Sequence, residues 1–581
     1  MSVYKIWNLK FPSPSPDAPK CEAALFAGKL ASEAGIAPLQ AQLLINRNIS
    51  DIKSVRSFIS PSLRNMIDPM LMKGMKEATE TIITSIAKQE KITIYGDYDA
   101  DGLTATALLV NFFSDLGIPV SSYIPNRLNE GYGLNMEAVF RIAEKGSGLL
   151  ITVDCGSSNF EEIEFAKKSG IKVVVTDHHQ IPDGFQPLCP VVNPNQPGCP
   201  FPFKELAGVG LAFFLAVAVR AGLRKKDWFK SGSEPDLREY LDLVALGTVA
   251  DRVPLLDQNR ILVNSGMEVM KRSRWAGINA MQEVAAIPSS EITPYDLAFK
   301  LAPCLNAPGR MGDPDIGLQI LTQNKNILAM DFAEKINAIN KQRRGIEKEI
   351  LAQIETILGE TRGINDLKTI VISGEGWHKG VLGIVASRLV EKYHRPSLVI
   401  GIKDGMAYGS GRSIDNFNLY SALSRIKYVF EKFGGHAHAA GFSLKASNVR
   451  ILKKELEAIA GETMREEDLI PTIDVDAEIL LKDITPETLL LISALSPFGQ
   501  GNPAPLFLSR SLEVLDSRVV GKRHLKFSVC REKEIFGAIG FGLANHHPLR
   551  GRTIDMIFTP EWNRWHGYES IQLKVVDLKN V

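Results

Sequence analysis

Between residues 91 and 177 the chain alternates short, wholly apolar runs with longer segments whose apolar positions recur every three or four residues. Runs that are apolar on both faces are typical of buried parallel strands, and the segments between them have helical periodicity. In chain order these stretches are KITIY, LTATALLVNFFSDLG, GLLITVD, FEEIEFAKKSG and IKVVVTD. The order strand, helix, strand, helix, strand predicts an α/β domain whose parallel sheet is covered by helices on both sides.

A second α/β pattern begins near residue 367, where LKTIVISGEG and PSLVIGI predict strands on either side of the helix GVLGIVASRLVEKY. Before it, a charged segment without proline over about 328–358 predicts a long connecting helix. From about residue 466, short β-type runs separated by turns predict a small β-barrel. We therefore divide the chain into an N-terminal helical, polar region (1–75), a first α/β domain (76–327), a connecting helix (328–360), a second α/β domain (361–462) and a barrel (463–581).

Composition is that of a globular protein, with 45% hydrophobic and 23% charged residues among 581 and a formal net charge of +1. A balanced total neither favours nor excludes a nucleic-acid partner, because a basic groove can lie within it. The six cysteines form no CxxC pair, so the sequence predicts neither disulfides nor a structural zinc site and fits a reducing cytoplasm. No run reaches the roughly 18 apolar residues of a membrane span, and we expect the glycine-containing stretch LAGVGLAFFLAVAVRAGL to be a buried helix.

Aspartates follow each of the three predicted strands of the first domain. The motif residues are Asp97, Asp99 and Asp101 after the first strand, Asp154 after the second, Asp177, His178 and His179 after the third, and Asp251 after a later helix. The period-two spacing of the first three would direct them to one spot from an extended backbone. The carboxyl ends of parallel strands meet at one edge of a sheet, so we expect all these groups to converge there. A single aspartate after a strand is most often a helix cap, but four such placements favour a metal site.

A cluster of carboxylates this dense requires cations, because unneutralised carboxylates repel one another strongly. Aspartate oxygens suit hard divalent ions, and histidine among them shifts the preference from magnesium toward manganese. The ligands suffice for two ions that share a bridging carboxylate. Two such ions activate a water and stabilise a leaving oxygen, so the expected cofactors are two divalent metal ions, Mn²⁺ preferred or Mg²⁺, and the expected reaction is phosphoester hydrolysis.

Four motifs in this order, YGDYDADG, VDCGSSN, TDHHQ and GTVADRVPL, resemble those of the DHH phosphoesterase superfamily. GSGRS followed by FGGHAHAAGF resembles the DHH-associated domain of that superfamily, and the resemblance extends over the chain from about residue 40. It implies two α/β domains, DHH and DHH-associated, joined by the long helix and followed by an OB-like β-barrel. The long helix, the barrel and the total chain length also resemble those of the superfamily members that degrade single-stranded DNA.

The resemblance also implies roles for the motif residues. Metal would be held by Asp99, Asp101, Asp154, His178 and Asp251, with Asp97 as a further candidate ligand, and the catalytic residues would be Asp99, Asp101, Asp154, His178 and His179. Asp177 and His179 either bind metal or orient the ligands through hydrogen bonds. Tyr95 stands where smaller members have a histidine, so either Asp97 takes over that role or the site has one ligand fewer.

Substrate contacts are expected mainly from the second α/β domain. Glycines in GSGRS let a phosphate approach the backbone near Ser410 and Arg412, and arginine binds phosphate bidentately. Gly435 and His436 belong to a stretch of small residues, and Arg127 and Arg310 lie in predicted loops that resemble phosphate-binding elements.

The barrel segment Arg510–Val581 has 12 Lys and Arg against 8 Asp and Glu. Basic residues mixed with aromatic ones suit single strands, on which bases stack. The aromatic residues here are Trp562, Trp565, Tyr568, Phe527 and His524. They either stack on bases or lie in the barrel core, and for Phe527 we expect the core.

The function that the resemblance implies is a metal-dependent 5′-to-3′ exonuclease that degrades single-stranded DNA to mononucleotides in repair and recombination. It would be a cytoplasmic monomer without membrane contact, acting with a single-strand-binding protein and a RecQ-type helicase. One alternative is a phosphoesterase for cyclic dinucleotides or very short oligonucleotides, which needs no basic barrel. Another is a non-catalytic DNA-binding scaffold, which would be expected to have lost motif acids, whereas each of them is present in this sequence.

Overall fold

The computed structural model describes residues 5–10, 22–230, 232–360, 367–565 and 568–581. The strands are β1 (Ile6–Leu9), β2 (Ile92–Gly96), β3 (Val120–Tyr123), β4 (Leu149–Val153), β5 (Lys172–Thr176), β6 (Val191–Val192), β7 (Ile370–Glu375), β8 (Ser397–Lys403), β9 (Met406–Arg412), β10 (Lys432–His436), β11 (Ala439–Lys445), β12 (Thr472–Val475), β13 (Ala477–Glu478), β14 (Phe507–Val520), β15 (His524–Arg531), β16 (Glu534–Gly540), β17 (Thr553–Trp565) and β18 (Tyr568–Asn580).

The α-helices are α1 (Glu22–Ala34), α2 (Pro38–Ile45), α3 (Ile52–Ile59), α4 (Met75–Ala87), α5 (Ala100–Asp115), α6 (Met136–Glu144), α7 (Phe160–Lys168), α8 (Gly208–Lys225), α9 (Leu241–Asp251), α10 (Asp257–Met270), α11 (Ala276–Val284), α12 (Pro294–Asp296), α13 (Ala302–Met311), α14 (Asp315–Thr322), α15 (Asn326–Glu360), α16 (Leu382–Tyr393), α17 (Leu419–Arg425), α18 (Val449–Thr463) and α19 (Pro486–Ser493). The chain forms two compact units. The first contains Asp68–Asp251 and Gly266–Pro471, and the second contains Trp7–Ile67, Arg252–Ser265 and Thr472–Val581.

The first sheet of the first unit has the strand order β3-β2-β4-β5-β6, and every pairing is parallel. Strands β2 and β4 are buried at each position, because helices cover both faces of the sheet. This confirms the predicted parallel α/β domain. The edge strands β3 and β6 were not predicted, because VSSY is half polar and VV lies between prolines in a loop-like stretch.

The apolar helix α8 is buried along most of its length against α5, α9 and the sheet, as expected for a core helix. Within the described ranges, no helix combines the length and apolarity that crossing a bilayer would need.

The second sheet has the order β10-β11-β9-β8-β7, in which β7 and β8 are parallel and the other neighbours are antiparallel. Helix α16 packs on β8 and β9. The 35-residue helix α15 connects the two α/β domains and contacts α11, α13 and α16 along the way. The expected long connecting helix is therefore present.

The second unit contains a closed five-stranded barrel, β14-β15-β16-β18-β17, in which β17 pairs back onto β14. Helices α1–α3 share one hydrophobic core with it, formed among others by Leu30, Leu43, Phe58, Leu512, Phe527 and Leu573. Sequence patterns did not link the N-terminal helices to the barrel, because the two segments are more than 400 residues apart in the chain. Phe527 is a core residue, as expected.

Candidate metal centre

The first motif lies where β2 ends and α5 begins. Asp99 caps the helix, and its Oδ1 accepts hydrogen bonds from the backbone N–H groups of Asp101 and Gly102 at 3.0 and 3.1 Å. Asp101 is already in the first turn of α5. The expectation of an extended backbone with alternating side chains is therefore wrong, because a helix N-terminus needs a cap and aspartate supplies it. Gly102 is required, since a Cβ there would lie 2.6 Å from the Asp97 carbonyl oxygen.

Asp101 is nevertheless directed to the centre of the site by a second helix. Its two carboxylate oxygens accept hydrogen bonds from the backbone N–H groups of Gly208 and Val209, at 2.6 and 2.8 Å, at the beginning of α8. The positive end of the helix dipole favours the negative charge there. Sequence reasoning missed this support from α8, because no side chain of the helix carries it.

Asp154 follows β4 with a left-handed φ of 61°, and helix α8 packs closely against it. A Cβ at Gly208 would lie 2.7 Å from the Asp154 Cβ. Asp251 is the last residue of α9, whereas we expected it in a loop after that helix. The helix delivers its carboxylate to the same edge of the sheet.

His178 faces three of these carboxylates. Its Nε2 lies 3.1 Å from Asp154 Oδ1, 3.7 Å from Asp251 Oδ2 and 3.9 Å from Asp101 Oδ2. The side-chain amide of Asn195 donates a hydrogen bond of 2.7 Å to the His178 carbonyl oxygen, and that of Asn193 donates one of 3.0 Å to the carbonyl oxygen of the next residue. These two asparagines, in the sequence VVNPNQP after β6, were not singled out from the sequence.

His179 is oriented by Asp177. The Nδ1–H of His179 donates to Asp177 Oδ1 at 2.8 Å, and Asp177 Oδ2 accepts from the Ser157 backbone N–H at 2.8 Å. The Tyr132 hydroxyl lies 3.0 Å from the same Nδ1. Asp177 is buried and hydrogen-bonded through both oxygens, so the structure favours an orienting role for it.

The ionisable groups of the site are strongly perturbed. Burial, together with the charge of Asp99, raises the pKa of Asp97 well above its ordinary value, and burial with the charge of Asp101 does the same for Asp154. Burial and the charge of Asp251 raise the pKa of Asp101 to about 7. These carboxylates would hold protons unless cations replaced them.

The two imidazoles have raised pKa values for a related reason. Burial lowers the pKa of His178, but the charges of Asp251 and Asp101 outweigh it and the net pKa is raised. For His179 burial is outweighed by the hydrogen bond to Asp177, and the pKa rises to about 9. Burial raises the pKa of Asp177, yet the hydrogen bond from His179 brings it down to about 2.

Four ligand atoms of the site are buried without any hydrogen-bond partner. They are Asp97 Oδ1, Asp154 Oδ1, His178 Nε2 and Asp251 Oδ2. Ligand atoms within 4.8 Å of one another form three sets, which are Asp97 with Asp99 and Asp154, Asp101 with His178 and Asp251, and Asp154 with His178 and His179. Unpartnered buried oxygens around a histidine fit hard divalent ions such as Mn²⁺ or Mg²⁺. The repeated use of Asp154 and His178 fits two neighbouring ions.

Tyr95 is not part of these sets. Its side chain is buried against Tyr123, with ring centroids 5.4 Å apart, and its hydroxyl donates to the Gly133 carbonyl oxygen at 2.8 Å. Of the two possibilities for the missing histidine, the structure favours Asp97 as the added ligand, since its oxygen groups with those of Asp99 and Asp154.

The predicted phosphate-binding residues lie on strands β9 and β10, in the turn after β3 and in the last turn of α13. Arg412, at the end of β9, donates to the Ser410 hydroxyl at 3.1 Å, and a Cβ at Gly383 near the start of α16 would lie 3.0 Å from both side chains. Burial and the charge of Arg127 lower the pKa of Arg412. Arg127 follows β3 and lies over the Tyr98 ring at 5.2 Å. These residues, with Arg310, form one electropositive group, which we call the phosphate cradle.

Arg310 lies in the last turn of α13 and not in a loop as we expected, because the helix continues through the glycine and proline of APGRMG. Burial, together with the charges of Arg127 and Arg343, lowers its pKa to about 10. Gly435 and His436 lie on β10, where Gly435 is opposite Ala440 and His436 is opposite Ala439, the residue that also pairs with Arg412. Both are exposed at that end of the sheet.

Comparison with protein-family models matches three parts of the chain. Residues 91–248 match the DHH family, N-terminal domain, residues 366–462 match the DHHA1 domain, and residues 475–577 match the RecJ OB domain.

Curated relatives match nearly the whole length. The chain is 39% identical to the single-stranded-DNA-specific exonuclease RecJ of Bacillus subtilis, covering 94% of this chain and 69% of the relative. It is 36% identical to the RecJ of Haemophilus influenzae, covering 93% of this chain and 95% of the relative.

Solved structures agree. The crystal structure of RecJ in complex with Mn²⁺ from Thermus thermophilus superposes with a TM-score of 0.83 at 27% identity, covering 99% of this chain and 79% of that one. A second structure, exonuclease RecJ bound to manganese, has a TM-score of 0.59 at 33% identity and covers 67% of this chain and 95% of that one.

Proposed function

This chain belongs to the RecJ family of single-stranded-DNA-specific exonucleases, and we propose that it removes mononucleotides one at a time from the 5′ end of single-stranded DNA. Its activity is that of a metal-dependent exonuclease, with Mn²⁺ or Mg²⁺ as cofactor. The observation that carries the proposal is the set of four buried, unpartnered ligand atoms on Asp97, Asp154, His178 and Asp251.

The proposed ligands are Asp97, Asp99, Asp101, Asp154, His178 and Asp251. When bound, two divalent ions there would activate a water as nucleophile and stabilise the leaving oxygen of a phosphodiester. The protein's own contribution is to fix the ligands before substrate arrives. The N-terminus of α8 holds Asp101 through two backbone hydrogen bonds, and Asn195 fixes the loop that carries His178.

His179 is proposed to act beside the ligands. Its Nδ1–H is held by Asp177, so its ring orientation is set and its Nε2 is directed away from that carboxylate. A pKa of about 9 keeps the imidazole protonated at neutral pH in the metal-free protein. When protonated, this imidazole supplies a hydrogen-bond donor for a phosphate oxygen at the scissile bond.

The phosphate cradle is proposed to set the register of cleavage. Arg412 and Arg127 would bind the terminal 5′-phosphate, with the Ser410 hydroxyl as a further donor. Gly435 and His436 would contact the same nucleotide from β10, which is separated from β9 by β11. A terminal phosphate held at a fixed distance from the metals makes the first phosphodiester bond the reactive one, which gives exonuclease and not endonuclease cleavage.

The barrel is proposed to hold the rest of the strand. Trp562 and Tyr568 on β17 and β18 are exposed and available for base stacking, while the side chain of Trp565 lies outside the described residues. Stacking combined with basic residues binds single strands with little sequence preference. We further propose a cytoplasmic monomer that works with a single-strand-binding protein and a RecQ-type helicase in repair and recombination.

The experiment uses single strands labelled at the 5′ or the 3′ end, with Mn²⁺ and with a chelator. We expect a 5′ label to appear at once as mononucleotide, a 3′ label to shorten stepwise, and the chelator to stop both. Immediate mononucleotide from the 3′ label would contradict the proposed polarity.

A further inference from the structure

A cavity of about 440 Å³ lies next to the metal centre in the first unit. Its walls come from α13, α15, α16 and the π-helical turn Leu297–Leu301, an element that occurs frequently at functional sites. We call it the arginine pocket, after the five cationic side chains that line it: Arg310, Arg343, Arg344, Lys348 and Arg388.

The positive charge of the arginine pocket is not neutralised by the protein. Among its described lining residues Glu347 is the only carboxylate, and it is already engaged, with one oxygen 2.9 Å from Arg343 and the other 3.4 Å from Arg388. Arg310, Arg344 and Lys348 form no ion pair with any residue in the described part of the chain. Three uncompensated cations around one cavity attract an anion.

The pocket shares walls with the metal centre. Asn306 lines it and accepts a hydrogen bond of 2.7 Å, through Oδ1, from the Ala100 backbone N–H between two motif aspartates. Ile384 also lines it and directly follows Gly383, the residue that touches the phosphate cradle. A phosphate-bearing ligand in the pocket would therefore be an immediate neighbour of the reacting strand.

The rim of the pocket carries an exposed aromatic pair. Phe299 is 59% exposed and Tyr295 is 60% exposed, and their ring centroids are 4.7 Å apart. Phe299 itself lines the cavity. An open aromatic face beside arginine and lysine is suited to a base with its phosphate, and a bare inorganic ion would leave the ring unused.

We propose that the arginine pocket is a second nucleotide site, which binds a nucleotide phosphate through Arg344 and Lys348 and stacks the attached base on Phe299. This inference rests on the proposed function, because the nucleotide comes from one of two sources. It is either the released mononucleotide or the nucleotide that follows the scissile bond in the strand. Both sources present the same chemistry, which is a phosphomonoester or phosphodiester group joined to a nucleoside whose base can stack.

Binding of deoxyadenosine monophosphate, measured by calorimetry with the full chain in chelator, tests the site without catalysis. We expect two molecules per wild-type chain and one when Arg344→Ala and Lys348→Ala are combined, whereas Arg412→Ala should weaken the cradle site about 10- to 100-fold and leave the pocket site unchanged. Both substituted pocket residues are exposed, so the fold is expected to persist, and Lys341→Ala on the same helix is the matched control. An unchanged number and affinity of sites in the double variant would overturn the inference.

The stacking role has a separate readout. With Phe299→Ala, affinity for inorganic phosphate should stay constant while the preference for deoxyadenosine monophosphate over phosphate at the pocket falls about tenfold, within the range for loss of one stacked base. An unchanged preference would remove Phe299 from the proposal.

Kinetics then identify the source. If the released nucleotide occupies the pocket, the double variant raises the inhibition constant for deoxyadenosine monophosphate and leaves KM alone. If the strand occupies it, KM rises for long strands and not for dinucleotides. A chain without exonuclease activity would overturn the proposed function, yet the binding experiment would still decide on the pocket.

Discussion

His178 Nε2 lies 3.1 Å from Asp154 Oδ1, and neither atom has a hydrogen-bond partner. Together with a ring nitrogen of His179 they form a set of ligand atoms within 4.8 Å of one another, close enough to share one ion. Leaving them uncompensated would cost about 1–3 kcal/mol for each group, and more where the group is charged. A metal ion removes this cost for both atoms at once.

Asp154→Asn is expected to lower kcat about a thousandfold, because the loss of about 4 kcal/mol of metal-dependent stabilisation corresponds to three decades in rate. Asparagine tolerates the left-handed backbone at this position, so the fold should be kept. Mn²⁺ titration measures the affinity for the metal, and degradation of single strands measures kcat. The exposed Asp415→Asn is the control, and wild-type activity in Asp154→Asn would refute the ligand role.

The two adjacent histidines should respond differently to substitution. His178→Ala should reduce the number of Mn²⁺ ions bound per chain, since its Nε2 faces three carboxylates. His179→Ala should keep both ions and lower kcat about 10- to 100-fold, as expected for a residue beside the ligands. The number of Mn²⁺ ions bound per chain, measured by electron paramagnetic resonance, separates the two roles. Loss of an ion in His179→Ala would show that His179 is a ligand.

Stability without metal should fall as pH rises. The folded protein raises the pKa of Asp97 and Asp154, and that of Asp101 to about 7, so it binds more protons than the unfolded chain above about pH 4. The stabilisation that these protonated groups retain at low pH is lost as pH rises toward 7.

Bound metal reverses this dependence, because each ion displaces protons from the carboxylates that bind it. The affinity for the ion therefore rises about tenfold per pH unit for each proton released. The Mn²⁺-induced increase in Tm, measured by thermal unfolding against a chelator control, should grow between pH 5.5 and 7.5. An increase that does not depend on pH would contradict the raised carboxylate pKa values.

Arg412→Ala should weaken binding of 5′-phosphorylated strands about 10- to 100-fold, since a hydrogen bond to a charged group contributes about 1.5–3 kcal/mol. Strands with a 5′-hydroxyl should be affected much less. The readout is therefore the ratio of kcat/KM for 5′-phosphorylated strands to kcat/KM for 5′-hydroxyl strands. Arg425→Ala, an exposed arginine of the same domain, is the control. Equal losses on both substrates would mean that the arginine does not read the terminal phosphate.

Trp562→Ala and Tyr568→Ala should each weaken long-strand binding by about 1–3 kcal/mol per stacked base. Hydrolysis of a dinucleotide should stay unchanged, which also distinguishes a strand-binding barrel from an enzyme for short substrates. Tyr428→Ala, exposed on the other unit, is the matched control. Point variants are needed here, because removing the barrel would expose the buried faces of α1–α3.

The sequence was most informative where local pattern decides the structure. Buried strands that end on aspartates predicted the sheet, its edge and the convergence of the acids, because the carboxyl ends of parallel strands must meet. It was least informative where distant segments cooperate. The hydrogen bonds from α8 to Asp101, those from Asn195 and Asn193 to the histidine loop, and the shared core of α1–α3 and the barrel depend on tertiary contacts that no periodicity records.

Helical and loop assignments near the site failed for a different reason. Proline and glycine in APGRMG predicted a loop at Arg310, but packing of α13 against α15 overrides local propensity. In YGDYDADG an alternating pattern looked extended, while the capping chemistry of Asp99 begins a helix.

The core that α1–α3 share with the barrel has a consequence for biosynthesis. A ribosome that adds about 5–20 residues per second needs roughly 20–80 s between Phe58 and Ala477, the first barrel-side partner of that core. During this interval the apolar side chains of the early helices have emerged without the strands that will cover them. The nascent chain is therefore a natural client for chaperones that shield hydrophobic segments until translation is nearly finished.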